Sequence, residues 1–212
     1  MQHQSDNARD RLRQAAIEVF SQKGFNRAST REICQQAGVN GAAINYYFGD
    51  KISLYREVTQ PPSYLTEIPE ELAAPDIGLR QGLVAFFRPF ARTLSDWSLT
   101  PHRHMLFVRE QIQPSGLLSE ECTNVFRPRH EKMREFLCRH CGTDAPDDSI
   151  DQLALSLSGM AMMLFMKRDI VEAFAPSLLD NEAAVEATLQ RLTDQAMTLV
   201  KAEAARRQNN ND

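Results

Sequence analysis

The chain has 212 residues and a formal net charge of −4, from 24 Lys and Arg against 28 Asp and Glu. This length accommodates one large domain or a small domain joined to a larger one, and the overall charge excludes a general polyanion binder. The charge is uneven, because residues 1–60 carry a net +2 and the remainder a net −6. Any contact with nucleic acid is therefore expected near the N-terminus.

The N-terminal sequence MQHQSDNARD has no apolar stretch of the kind found in a secretory signal. No run approaches the roughly 18 apolar residues that a membrane-spanning helix needs. These observations predict a cytoplasmic protein, without a membrane partner, whose four cysteines are reduced.

The first predicted helix covers residues 8–23 and ends at Gly24. It is recognised by apolar residues at helical spacing, which are Leu12, Ala15, Ala16, Val19 and Phe20. Ser29 and Glu32 have the spacing of a capping box, which predicts a second, short helix that ends near Ala37. Gly38 then breaks the chain.

A third short helix is predicted around Ile44 and Phe48, which lie four residues apart on one face. Asp50 is placed to cap a fourth helix. Prolines at 61, 62 and 69 then interrupt the helical pattern. We therefore divide the chain into an N-terminal domain of residues 1–60 and a second domain of residues 61–212.

The second domain is predicted to be helical as well, because no clear β-alternating run occurs in it. Its helices are expected at about 76–97, 102–112, 118–141, 147–173 and 182–206. The fold class is all-α, with a three-helix N-terminal domain that contains a helix-turn-helix and a larger helical domain.

Two short helices separated by a glycine break predict a helix-turn-helix whose second helix enters the major groove of DNA. Small residues at 41–43 leave its front slim, so that the backbone can approach the bases. The alternative is a compact helical core in which the two adjacent tyrosines are simply packed. The candidate DNA contacts are Thr30, Arg31, Asn40, Gly41, Ala42, Ala43, Asn45, Tyr46, Tyr47 and Lys51.

Several joined motifs between residues 9 and 58 resemble the DNA-binding domain of the TetR family of transcriptional regulators. The motifs are AIEVF at 16–20, KGF at 23–25, STREI at 29–33, AGV at 37–39 and INYYFGDK at 44–51. The resemblance implies that the candidate contacts bind operator DNA. One departure is Asn45, where the family most commonly has tyrosine, and asparagine is suited to adenine.

The resemblance also implies a homodimer that pairs through its last two helices and a second domain that binds a small-molecule effector. Apolar stripes in these helices include Leu157, Leu189 and Leu199. Residues 107–111, FVREQ, followed by Pro114, resemble the CecR branch of the family, as do residues 42–49.

The long helices are rich in Phe, Leu and Met, which suits a hydrophobic or aromatic effector. Arg109 interrupts an apolar helix, and a buried charge needs a partner that an anionic or carbonyl-bearing effector could supply. Its neighbour Glu110 is expected to be exposed or to form a salt bridge between helices. The candidate effector-binding residues are Phe87, Phe90, Met105, Arg109, Met162, Met163 and Phe165, with ordinary core packing as the alternative.

No phosphate loop, nucleophile elbow, HExxH motif or paired-carboxylate motif occurs, so no catalytic residue is assigned. Cys138 and Cys141 form a CxxC, but a structural zinc normally needs four ligands, so neither a metal nor a cofactor is predicted. These observations predict a ligand-responsive DNA-binding regulator, a repressor that a small molecule releases from its operator. The alternative is a helical interaction protein or an enzyme with a degenerate DNA-binding domain.

Overall fold

The computed structural model describes residues 2–59, 61, 66–95 and 101–211, and within these ranges the secondary structure is helical without any strand. This confirms the predicted all-α class. Short 3₁₀ turns occur at Glu70–Ala73 and Pro176–Leu178. The α-helices are α1 (Gln2–Arg27), α2 (Thr30–Ala37), α3 (Ala43–Phe48), α4 (Lys51–Thr59), α5 (Leu79–Ser95), α6 (Pro101–Ile112), α7 (Ser119–Cys141), α8 (Asp148–Met166), α9 (Arg168–Phe174) and α10 (Glu182–Asn211).

Local signals near the N-terminus set the helix ends as predicted. Gly24 interrupts α1 with a non-helical backbone, φ 73° and ψ 170°, and one further turn follows it. The Ser29 hydroxyl accepts a hydrogen bond from the Glu32 amide, and Gly38 ends α2 in the left-handed conformation at φ 64°. The carboxylate of Asp50 accepts a hydrogen bond from the Ser53 amide at 2.7 Å and caps α4.

The single helix predicted over 147–173 is wrong, because the chain leaves the helical conformation at Lys167, with φ −125° and ψ 42°. The two parts, α8 and α9, are bent by 68°. The apolar run ends at Met166 and is followed by two charged residues, Lys167 and Arg168. Arg168 donates a hydrogen bond from Nη1 to the Leu94 carbonyl at 3.0 Å, which holds the start of α9 against the end of α5.

The described residues form two compact units. The first contains the described residues of 1–61 and of 98–123, and the second those of 62–97 and of 124–212. The N-terminal segment of the first unit ends at residue 61, and α6 belongs to this first unit rather than to the second. As a division of function, the two predicted domains stay a prediction.

The core of the first unit contains the apolar stripe predicted for α1 and side chains from α2, α3, α4, α6 and the segments at Ala28 and Leu118. Leu106 of α6 and Leu118 are buried in this same core, which explains why 101–123 clusters with the N-terminal helices. The other buried members are Leu12, Ala15, Ala16, Val19, Phe20, Ala28, Ile33, Cys34, Ala37, Ile44, Leu54, Tyr55 and Val58.

In the second unit α10 packs along α5, and α8 contacts both helices. Buried residues of α8 and α10, among them Leu157, Val185 and Leu189, face this core. Gly82 of α5 is required here, since a Cβ atom at this position would lie 2.2 Å from the ring of Phe136. Among the described residues no single helix is long and apolar enough to cross a membrane, and one bent pair, Asp148–Leu164 with Arg168–Phe174, meets the length and composition of a broken span.

Asp147 joins the start of α8 to the end of α10. Its carboxylate accepts hydrogen bonds from the Ile150 amide at 3.0 Å and from Nη2 of Arg207 at 2.7 Å. Arg207 also donates to Glu203 at 2.7 Å. The hydrogen bond from Arg207, followed by the one from Ile150, lowers the pKa of Asp147 to about 2.

We expect Asp147→Asn to lower the urea midpoint of unfolding at pH 7. Because the pKa of Asp147 is lower in the folded chain, its stabilisation is present above its ordinary pKa of 3.8 and is lost as the pH falls towards 2. The difference between parent and variant, followed by circular dichroism, should therefore narrow over this range. Asp144→Asn, an exposed neighbour, is the control. A difference that stays constant from pH 7 to pH 2 would contradict the role of the charge.

Candidate nucleic-acid interface

Asn40 shapes the turn between α2 and α3. Its side-chain Oδ1 accepts a hydrogen bond from the Ala42 amide at 2.9 Å, and its carbonyl accepts one from the Ala43 amide at 2.9 Å. Asn40 was predicted to contact DNA, but its side-chain oxygen is already hydrogen-bonded within the chain. Its amide NH₂ group remains available as a donor.

The front of the turn is open as well as slim. Gly41 and Ala42 are exposed, and a Cβ atom built on Gly41 would meet no other atom within 4 Å. Gly41 is also not among the glycines with positive φ. Since neither packing nor backbone conformation requires a glycine at 41, its small size leaves space for a molecule outside the chain.

Helix α3 divides its side chains between the core and the surface. Ile44 is buried, whereas Asn45 is exposed and Tyr46 is 80% exposed. Tyr47 is half-buried, and its ring meets that of Tyr46 edge to face at 4.8 Å. Core packing explains the buried part of the Tyr47 side chain, but it does not explain Tyr46, which is exposed. The compact-core alternative therefore does not explain both tyrosines.

Thr30 and Arg31 are exposed at the start of α2. In the described part of the chain, the Arg31 side chain makes no ion pair and no hydrogen bond. Nearby, Lys23 is paired with Glu32, with Nζ 2.5 Å from Oε1. Arg31 thus carries an uncompensated positive charge beside the first turn of a helix, where backbone amides attract anions.

Lys51, at the start of α4, is already partly occupied. Its Nζ donates a hydrogen bond to the Phe25 carbonyl at 2.6 Å and lies 4.2 Å from the centre of the Phe25 ring. Burial lowers the pKa of Lys51 from its ordinary value. These contacts fix the position of the ammonium group and leave donors for another acceptor.

Helix α6 belongs to this unit, and two of its residues have other partners than those predicted from the sequence. Glu110 is only 4% exposed and forms no salt bridge within the described residues, so the expected exposure or ion pair is wrong. Its Oε2 accepts a hydrogen bond from the Tyr55 hydroxyl at 2.6 Å. Its Oε1 accepts two from Ser115, from the amide and from the hydroxyl, both at 3.0 Å.

Arg109, proposed from the sequence as an effector anchor, lies against the end of α1. Its Nη1 donates to the carbonyls of Ser21 at 3.3 Å and Gln22 at 3.2 Å. The charge of Arg109 in an apolar helix identified this residue from the sequence. Helical periodicity did not identify the carbonyl groups that it contacts. Met105 lies on the same helix and is exposed.

The other candidate effector residues lie in the second unit, so the seven residues do not form one cluster within a single unit. Phe87 and Phe90 are buried, Met162 is half-buried and Met163 is 50% exposed. The side chain of Phe165 is outside the described residues. These assignments stay predictions.

Among the described residues, no group of three or more His, Cys, Asp and Glu side chains is arranged to hold a metal ion. Cys138 and Cys141 are buried free thiols. Burial raises the pKa of Cys138 and raises that of Cys141 to about 11, which suppresses the reactive thiolate. These two thiols have the character of core side chains.

Comparison with known proteins agrees with this geometry. Residues 12–58 match the family "Bacterial regulatory proteins, tetR family", and residues 79–202 match "HTH-type transcriptional dual regulator CecR, C-terminal domain". The chain is 30% identical to the HTH-type transcriptional dual regulator CecR of Shigella flexneri over 156 residues, which are 67% of this chain and 68% of that protein. It is also 30% identical to the HTH-type transcriptional repressor NicS of Pseudomonas putida over 133 residues, 59% of this chain and 62% of that one.

Two solved structures share the fold. The hemolysin II transcriptional regulator HlyIIR has a TM-score of 0.60 at 20% identity and covers 90% of this chain and 97% of its own. NalD of Pseudomonas aeruginosa, described as the secondary repressor of the MexAB-OprM multidrug efflux pump, has a TM-score of 0.59 at 19% identity and covers 89% and 96%. With two matching family models and a relative aligned over two thirds of its length, the chain belongs to the TetR family of transcriptional regulators and has a CecR-type C-terminal domain.

Proposed function

We propose that this regulator represses its promoter as a cytoplasmic homodimer and leaves the DNA when a small hydrophobic or aromatic molecule binds the second unit. The observation that carries the proposal is the open surface of α2 and α3. There Gly41 has empty space beside it, Asn45 and Tyr46 are exposed, and Arg31 has no partner in the described residues. A surface that the fold itself does not use is available to DNA.

The proposed contacts divide into two kinds. Thr30, Arg31 and Lys51 lie at helix starts and bind phosphates, which fix the position of the protein on the duplex. Tyr47, whose ring is held partly in the core, presents its hydroxyl to a phosphate. Asn45 reaches a base edge, where its amide matches adenine.

The proposed effector site uses the aromatic residues of α5. The rings of Phe86 and Phe87 are 5.2 Å apart, and that of Phe90 lies 6.1 Å from Phe86. The guanidinium of Arg129 lies over Phe86 and Phe90 at 4.7 and 5.6 Å. It donates to the Glu67 and Phe86 carbonyls and has no carboxylate partner among the described residues. A buried cation among aromatic rings favours an aromatic acid as effector.

The test of the proposed function uses the promoter of the protein's own gene. A fragment of it should bind the purified protein with an affinity that falls as salt rises. Deletion of the gene should raise expression from a promoter fusion. In cells that contain the protein, one or more compounds from a panel of hydrophobic drugs and aromatic acids should also raise expression from the fusion. Loss of expression on deletion would show an activator instead. Ligand-induced release requires the effector to bind the released form more tightly.

The proposed dimer surface keeps Leu199 of the sequence prediction but not Leu157 or Leu189. Leu157 and Leu189 are buried inside the protomer and cannot form the surface between copies. Helix α8 instead exposes Leu155, at 63%, and Met163, with Gly159 between them at four-residue spacing. Leu199 of α10 is 42% exposed. These apolar side chains are the ones left for a partner protomer.

We expect Leu199→Lys to shift the protein from dimer towards monomer in sedimentation, because a charge would be buried in an apolar interface. Gln190→Lys is the matched control, since nine helical residues place position 190 about half a turn away on α10. It should remain dimeric. If both variants sediment as the parent does, the interface does not include this side of α10.

We expect Gly41→Gln to weaken operator binding by roughly tenfold or more, because a side chain would separate α3 from the bases by more than hydrogen-bond reach. Its unfolding midpoint should match that of the parent, since a Cβ atom at 41 meets nothing. Gly38→Ala is the contrast. Because the backbone at Gly38 is left-handed, an added Cβ atom should lower the free energy of unfolding by about 1 kcal/mol. Unchanged DNA affinity in Gly41→Gln would contradict the placement of this turn at the DNA.

We expect Lys51→Ala to weaken binding to all operator variants alike and to lower the salt slope by roughly one unit, as for a lost phosphate contact. Tyr47→Phe should also weaken all variants alike. Asn45→Ala should change the base preference instead. Lys201→Ala, an exposed lysine of α10, is the control for loss of charge. Binding equal to that of the parent in all three interface variants would refute this placement of α3.

A further inference from the structure

The DNA-binding unit is discontinuous in sequence. Helix α6 packs on α1 and α4 and contributes Leu106 to their core, and Leu118 follows from the next turn. The three-helix domain that the N-terminal motifs describe is therefore completed by a helix that begins only at Pro101, whereas α4 ends at Thr59. This arrangement raises the question of which residues of α6 influence the surface that meets DNA.

Glu110 connects α6 to α4. The cost of burying its carboxylate is offset by three donors, the Tyr55 hydroxyl and the amide and hydroxyl of Ser115. The Ser115 hydroxyl in turn accepts a hydrogen bond from the Leu117 amide at 3.1 Å, so the turn after α6 is ordered around the same carboxylate.

Tyr55 extends this connection towards the DNA surface. Its buried ring meets that of Phe20 at 4.9 Å and that of Phe25 at 5.1 Å. Phe25 holds the ammonium group of Lys51 with both its carbonyl and its ring. A continuous series of contacts thus runs from the Glu110 carboxylate to Lys51.

Arg109, the preceding residue, connects α6 to α1. Its guanidinium lies on the Ser21 and Gln22 carbonyls, just before the break at Gly24. A Cβ atom at Gly24 would lie 3.0 Å from Nε of Arg109, so the absence of a side chain there gives the guanidinium its space. Cations are stabilised at carbonyls near the end of a helix.

We propose that Arg109 and Glu110 are positioning residues for operator binding. They hold the end of α1 and the middle of α4 to one rigid helix, and so fix Phe25 and the ammonium group of Lys51 where a DNA phosphate meets it. Neither residue touches DNA. The proposal rests on the proposed contact of Lys51 with the operator.

The first measurement does not involve DNA. The full-length protein is treated briefly with acetic anhydride, and acetylation at Lys51 is compared with that at exposed Lys201 by peptide mass spectrometry. In Glu110→Gln, Tyr55→Phe and Arg109→Met, the Lys51 to Lys201 ratio should rise several-fold over the parent. Glu131→Gln, an exposed glutamate of α7, is the matched control and should not change it. An unchanged ratio in all three folded variants would overturn the proposal.

The second measurement is binding to the promoter fragment at several salt concentrations, at a temperature where circular dichroism shows each variant to be folded. Each single variant should bind roughly tenfold more weakly, with a salt slope between those of the parent and of Lys51→Ala, because the Lys51 ammonium is kept but is no longer fixed at its phosphate. Glu110→Gln combined with Tyr55→Phe should bind about as weakly as either single variant, because the two side chains form one contact. A general loss of stability would instead combine additively.

The two measurements separate this proposal from the proposed function. If the parent fails to bind the promoter fragment, the function is refuted, while the acetylation ratio still reports on Lys51. If acetylation rises in Glu110→Gln but its operator affinity equals that of the parent, the positioning role in DNA binding is refuted.

Discussion

The hydrogen bond between Tyr55 and Glu110 is the interaction on which the DNA-binding unit depends. It is a contact between a buried hydroxyl and a buried carboxylate 55 residues apart in sequence. Removing a partner of a buried charged group costs roughly 1–3 kcal/mol or more, so α4 and α6 are kept in one arrangement. Desolvation, and then the hydrogen bond to Glu110, raises the pKa of Tyr55, which keeps its hydroxyl protonated as a donor. The apolar core around Phe20 and Leu106 supplies stability, while this polar contact specifies geometry.

The surface that we propose to face DNA differs from the core, because most of its residues contribute little to the stability of the fold. A Cβ atom at position 41 would meet nothing within 4 Å, and Tyr46 is 80% exposed. Asn40 and Lys51 combine both roles, since each makes one hydrogen bond inside the chain and keeps donors for another molecule. A recognition surface of this kind is rigid because its backbone is capped and its anchors are buried, and it is accessible because its exposed side chains are small or unpartnered.

In the second unit, the apolar residues that form the core differ from those that we propose to face a partner protomer. The apolar residues of α8 and α10 are divided by helical phase into a buried set, such as Leu157 and Leu189, and an exposed set, such as Leu155 and Leu199. Asp147 and Arg207 tie the two helices together at one end through a charged hydrogen bond. This contact fixes the relative position of the two helices whose exposed apolar residues we propose for the two-fold interface.

Much of the fold could be predicted from the sequence, because the relevant interactions are local. The Ser29 cap, the left-handed Gly38 and the apolar stripe of α1 each involve residues within a few positions of one another, and the family motifs lie in the same short stretch. The tertiary structure alone decided which helix α6 contacts, why Glu110 is buried, and that Arg109 belongs with α1. Periodicity shows that a face is apolar, but it does not show which other helix, or which copy of the chain, covers that face. Distant contacts decide that, and they also decide whether a charge in an apolar helix is exposed, paired or held by hydroxyl groups.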